Sequence, residues 1–177
     1  LKTISMKKYL IILIAAVSLA LYSCTEKVDI AKEKDAIIAV IEKETEAYIN
    51  KNFAAFASSH VQNESNMRLT AEKHGFNMKT GWKETAEVMQ KMFEDSPEPW
   101  TSKSIKTNHR IKVYDNCAWA VHDESWIDEK GHVFMKNIGV RFLEKARGEW
   151  KIVYVSYVNT SSYEEITAET IEIVEAE

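Results

Sequence analysis

The sequence predicts an α+β fold, helices first and then a meander of long antiparallel strands. Three observations predict it. Apolar residues recur at helical spacing from Ile37 to Ile49 and again from Trp82 to Phe93, marking amphipathic helices. After Pro99 the period falls to two, with Ile105, Thr107, His109, Ile111 and Val113 alternating with Lys106, Asn108, Arg110 and Lys112, and runs of strand-forming residues continue as far as Asn159. Around Arg147-Gly148, two runs of strand-forming residues flank a glycine that permits the positive φ of a tight hairpin turn. The second run is apolar on both faces, with Trp150, Ile152 and Tyr154 on one and Val153, Val155 and Tyr157 on the other. Water wets both faces of such a strand only at a cost, so each needs a cover.

The chain opens with an export segment. Met6-Lys7-Lys8 and the apolar run 9–21 form a positive n-region and an h-region of signal-peptide length, short for a membrane span. Leu21-Tyr22-Ser23-Cys24 resembles a bacterial lipoprotein signal, which implies cleavage before Cys24 and its lipidation; Tyr22 departs from the usual residue there. Residues 1–23 are thus assigned to the signal peptide with upstream residues, and 24–32 to a polar tether. The implied location is the cell envelope, on the periplasmic side or the cell surface, with the membrane touched only through the lipid. Once Cys24 is lipidated only Cys117 remains, so no internal disulfide is expected.

Residues 32–50 read as an amphipathic helix with Ile37, Val40, Ile41, Tyr48 and Ile49 on one stripe. Asn50-Lys51-Asn52 interrupts it, and a shorter helix runs from Phe53 to near His60. Residues 67–70 suggest a short edge strand, and 72–79 a loop. Thr80 is placed to cap a third helix, with Glu84 in its positive first turn and Trp82, Ala86, Met89, Met92 and Phe93 buried. Pro97 and Pro99 stop it. Strands are expected at 105–113, 117–128, 132–145 and 149–159. Residues 163–177 form an acidic tail.

Composition excludes some functions. The whole chain carries a formal net charge of −4, and removing Lys2, Lys7 and Lys8 with the signal segment takes it to −7. Without a basic stripe, nucleic acid is excluded as a partner. No metal site or cofactor is expected. His122-Asp123-Glu124 alternates across a strand and cannot converge on one ion, and no His-Glu-x-x-His, paired-Cys or phosphate-cradling glycine motif occurs.

At this point the chain resembles the nuclear transport factor 2-like, or SnoaL-like, superfamily. The resemblance rests on Glu42-x-Glu-Thr-Glu-Ala-Tyr48, Gly81-Trp82-Lys-Glu84 and Gly148-Glu-Trp150-Lys-Ile-Val153, and it covers 33–162. It implies a cone in which helices close one side of a strongly curved antiparallel meander sheet around a pocket. The other sheet face often forms a dimer. Members include ketosteroid isomerase, scytalone dehydratase and polyketide cyclases, beside binding and assembly modules without chemistry, so fold alone does not decide catalysis.

Strand parity proposes pocket residues. A two-residue Arg147-Gly148 turn sets Arg141 opposite Tyr154, and a three-residue turn at 129–131 sets Trp119 opposite Arg141. One face then collects Trp119, Asp123, Asn137, Arg141, Tyr154, Ser156 and Trp150. His122, Glu124, Trp126, Ile138, Phe142, Val153, Val155 and Tyr157 fall on the other. Asp123 is then either a structural partner of Arg141 or a general base, with Tyr154 as hydrogen-bond donor to a substrate. Trp119, Asn137, Arg141 and Ser156 would contact ligand, with His60 and Trp100 at the mouth. Three functions remain open: an envelope-anchored domain binding a small, partly apolar ligand; an enzyme of acid–base isomerisation, dehydration or cyclisation; and a homodimerising assembly module whose pocket its own side chains fill.

Overall fold

The computed structural model describes residues 28–161. The signal segment, Cys24 and the acidic tail lie outside them. Helix α1 (Ile30–Ile49) starts at Asp29, whose carboxylate accepts from the N–H groups of Ala31 and Lys32 at 3.0 and 3.2 Å. It stops at Lys51, which takes a left-handed φ of 54°. The N–H of Asn52 returns to Ala47 O and that of Lys51 to Tyr48 O, so the orphan carbonyls of the last turn are satisfied. Asn52 then caps α2 (Phe53–Ser58) by accepting from the Ala55 N–H.

Strands β1 (Met67–Glu72) and β2 (Gly75–Thr80) form a hairpin where the sequence suggested an edge strand followed by a loop. β1 is not an edge, because it pairs in parallel with the last strand and leaves the edge to β2. Helix α3 (Trp82–Asp95) is entered through Gly81 rather than a Thr80 cap. Glu84 instead reaches back to accept from the Thr80 N–H at 3.1 Å.

The meander follows as β3 (Lys103–Val113), β4 (Cys117–Ile127), β5 (Val133–Ala146) and β6 (Glu149–Asn159). The six strands are ordered β2-β1-β6-β5-β4-β3. Arg147 and Gly148 both take positive φ, 54° and 85°, as a two-residue hairpin turn of this twist requires. This is the α+β cone expected from the sequence. α1 lies across the inner face, where Ile37 and Ile41 pack on Ala118, Ala120, Leu143, Ile152 and Val155. Trp150 belongs to this core, and its indole N–H donates to Glu33. A second cluster of Ala47, Phe56, Met89 and Phe93 ties the three helices together.

Candidate functional site

Two β-bulges decide which side chains meet at the site. The β5–β6 pairing begins as the turn dictates, Ala146 opposite Glu149, and shifts by one residue between Phe142 and Leu143. The β4–β5 pairing shifts in the same way between Trp126 and Ile127. A one-residue shift turns every later side chain to the other face. Arg141 is therefore opposite Val155, not Tyr154, and opposite Ala120, not Trp119.

This corrects the expected pocket set. Trp119, Asp123 and Tyr154 stand on the outer face. Asp123 pairs there with Arg110 at 3.6 Å and accepts from Asn108 at 2.7 Å, and it does not meet Arg141. Ser156, aligned with Val140 and Leu69, takes the outer side too. His122, Glu124, Trp126, Val155 and Tyr157 turn inward. Asn137 and Arg141 do face inward, and Trp100 lies on the pocket wall. His60 is not exposed at a mouth: it is buried against Phe56 and Trp82. Residues that strand parity left out of the pocket set, Glu44, Arg68, Glu124 and Tyr157, carry most of the site's polar chemistry.

The pocket is a cavity of about 430 Å³ between α1, α3, the β1–β2 hairpin and the inner sheet face. One wall is apolar, made by Tyr48, Met89, Met92, Trp100 and Trp126. Its aromatics brace one another edge to face, with Tyr48–Trp100 centroids 5.2 Å apart and Trp100–Trp126 5.5 Å. The Lys51 ammonium sits 4.5 Å over the Trp100 ring and 5.2 Å over Tyr48. The other wall is polar, with Arg68, Glu124, Asn137 and Tyr157.

Beneath the polar wall lies a buried charge cluster. Arg141 Nη2 donates to Glu44 Oε2 at 3.0 Å and contacts the Tyr157 hydroxyl, while its guanidinium stacks over the Tyr157 ring. Glu44 Oε1 is 3.6 Å from both His60 Nε2 and Arg68 Nη1. Burial alone would raise the Glu44 carboxyl, but Arg141 and His60 outweigh it and hold the group far below the ordinary range. Burial likewise pushes the Tyr157 hydroxyl up and the His60 imidazole down, so both stay neutral. Glu124 is also committed: Oε1 accepts from Ser104 at 2.6 Å and lies 3.6 Å from Lys106, and Oε2 accepts from Asn137 at 3.3 Å. The cluster thus supplies fixed charges and fixed donors.

The sequence pattern of the SnoaL-like domain matches residues 37–160. Among curated proteins none matches the chain. Solved structures with the same fold include a cystatin-like protein of unknown function from Nostoc punctiforme, with TM-score 0.60, 10% identity, 75% of this chain and 94% of that one covered. An NTF2-like protein of unknown function from Shewanella oneidensis gives 0.54, 18%, 71% and 98%. The association domain of CaMKII from C. elegans gives 0.57, 16%, 72% and 95%.

Proposed function

We propose, from the premise that this chain belongs to the SnoaL-like domain family, that its cone holds a small, partly apolar ligand without transforming it. One observation carries the reading: a cavity of about 430 Å³ whose apolar wall faces a polar wall on which Asn137 already donates to Glu124. The volume lies in the range of about 300–1,000 Å³ usual for small-molecule pockets. Acid–base isomerisation, dehydration or cyclisation needs a group at the cavity placed to take a proton, and no histidine is among the lining residues described. Glu124 reaches the cavity, but Ser104, Lys106 and Asn137 occupy its oxygens. Asp123 and Tyr154 are on the wrong side of the sheet for that chemistry. An assembly module with a pocket closed by its own side chains does not suit an open cavity of this size.

The outer sheet face supports a homodimer as a second element of the reading. Lys112, Trp119, Phe142, Tyr154 and Met67 align in one cross-strand row. Trp119, Phe142, Ile138 and Val158 on that face are exposed, and an apolar patch of this kind calls for a cover. Association is what the name of the CaMKII relative records of that protein. In this reading the lipid at Cys24 tethers the domain at the cell envelope, on the evidence of the Met6–Cys24 segment alone.

Ligand extracted from the purified chain carrying Cys24→Ser and identified by mass spectrometry tests the pocket. A single partly apolar compound, lost in a Met92→Trp variant that keeps its fold, is the expected result. Turnover of a bound compound would convert the reading to the enzyme. Incorporation of labelled palmitate into the native chain but not Cys24→Ser tests the anchor.

A further inference from the structure

We propose that the ligand is an amphipathic carboxylate, with an aromatic or alicyclic body against Tyr48, Trp100 and Trp126 and its carboxylate on Arg68. The inference rests on the pocket reading above and names the ligand's class.

The buried charges around the pocket do not balance. Among the described residues inside the cone, three cations (Arg68, Lys106 and Arg141) face two buried carboxylates, Glu44 and Glu124. Arg141 takes Glu44 at 3.0 Å with both groups buried. Lys106 is shared between Glu124 and the half-exposed Glu42 at the protein surface. Arg68 is left over. Its nearest carboxylate oxygen is Glu44 Oε1 at 3.6 Å, beyond hydrogen-bond reach, and its buried Nη1 has no hydrogen-bond partner. Arg68 also lines the cavity, with its guanidinium 5.3 Å from the Tyr157 ring, and a guanidinium there favours an anion because its planar fork matches a carboxylate. The two charges at the hairpin rim, Glu72 and Lys79, have opposite signs and do not alter the balance.

The aromatic wall by itself would also suit a cation. That role is filled within the protein, because Lys51 already lies over Tyr48, Phe93 and Trp100. His60 and His122, held neutral by burial, add no charge that would reverse the excess.

Calorimetric titration of the full chain carrying Cys24→Ser with 2-naphthoate, 2-naphthylmethanol and 2-naphthylmethylammonium separates the possibilities, since the three share one body. The carboxylate is expected to bind about tenfold or more tighter than the alcohol, the gain typical of a charge-assisted hydrogen bond. Arg68→Gln should abolish that preference, and Arg68→Lys should keep part of it. Equal binding of the three, or tighter binding of the ammonium, overturns the carboxylate while leaving the pocket standing. Binding of none of them removes both. Should Arg68→Gln not fold, the ranking on the chain with native Arg68 decides.

Discussion

Arg141 and Glu44 meet at 3.0 Å across 97 positions of sequence, each buried, one on the floor of the sheet and the other on the helix above it. The pair clamps α1 to β5 under the pocket. Removing one member leaves a buried charge without its partner, which costs more than the pair itself contributes. Arg141→Met is therefore expected to lower stability by about 3–5 kcal/mol in urea unfolding. The double variant with Glu44→Gln should lose less than the sum of the singles; additive losses would mean that the two do not act as a unit. The pair also sets an acid limit. Because the folded-state pKa of Glu44 is depressed below the ordinary 4.5, its contribution is complete above 4.5 and is lost as pH falls below it.

A second pH dependence comes from His122, which lies over Gly139 with neither ring nitrogen hydrogen-bonded. Burial, then the nearby Arg141, Lys106 and His109, push the imidazole from 6.5 down to about 3, with Glu44 acting the other way. The unfolded chain takes up this proton first. The stability associated with neutral His122 is thus present above pH 6.5 and is lost as pH falls from 6.5 toward about 3. His60, depressed mainly by burial, adds a loss of the same sign. Stability measured from pH 7.5 to 4.5 should fall by up to about 1.4 kcal/mol per pH unit for each proton. His122→Leu should flatten the curve, and an unchanged slope would assign the effect elsewhere.

Gly139 is where this histidine makes a backbone requirement. A Cβ at Gly139 would stand 2.5 Å from His122 Nε2 and 2.9 Å from its Cε1, closer than atoms can pack. The two residues are cross-strand partners, so neither can slide away without breaking the β4–β5 ladder. Gly139→Ala is expected to cost about 2 kcal/mol by overpacking. His122→Ala in the same chain should recover most of that loss, as chemical denaturation of the four members of the cycle would show.

The same strands explain how far the sequence could be read. The helices, the four meander strands and the Arg147-Gly148 turn followed from periodicity and turn chemistry, because those signals are local, whereas β2, without an apolar alternation, read as a loop. The registers next to each turn followed as well, with Ala146 opposite Glu149 and Ile127 opposite Val133. The site did not, because one extra residue bulges out of each ladder just past these pairs. Val153 sits in an unbroken Val-Tyr-Val run and Phe134 in Val-Phe-Met, with no glycine or proline to mark a bulge. That inversion exchanged Tyr154 for Tyr157 and Asp123 for Glu124. Glu44 was missed although a signal existed: it stands among Ile37, Ile41, Thr45 and Tyr48 on the buried stripe of α1, and a charge there implies a buried partner.

The inverted parity also changes which residues the proposed dimer would use. The residues expected there, Val153, Val155 and Tyr157, are core or pocket groups. Trp119, Phe142 and Tyr154 form the outward row instead, flanked by Ile138 and Val158. Phe142 lies near the middle of the sheet and is aligned with both aromatics, so a charge there would be buried by any copy seated on this face. Phe142→Glu is expected to turn a dimer into a monomer by sedimentation, with little change in unfolding of the isolated chain because the side chain is 39% exposed. Lys112→Glu, at the border of the same row, should weaken association far less. A native chain that sediments as a monomer at high micromolar concentration would leave the row without a second copy to cover it and end the dimer reading.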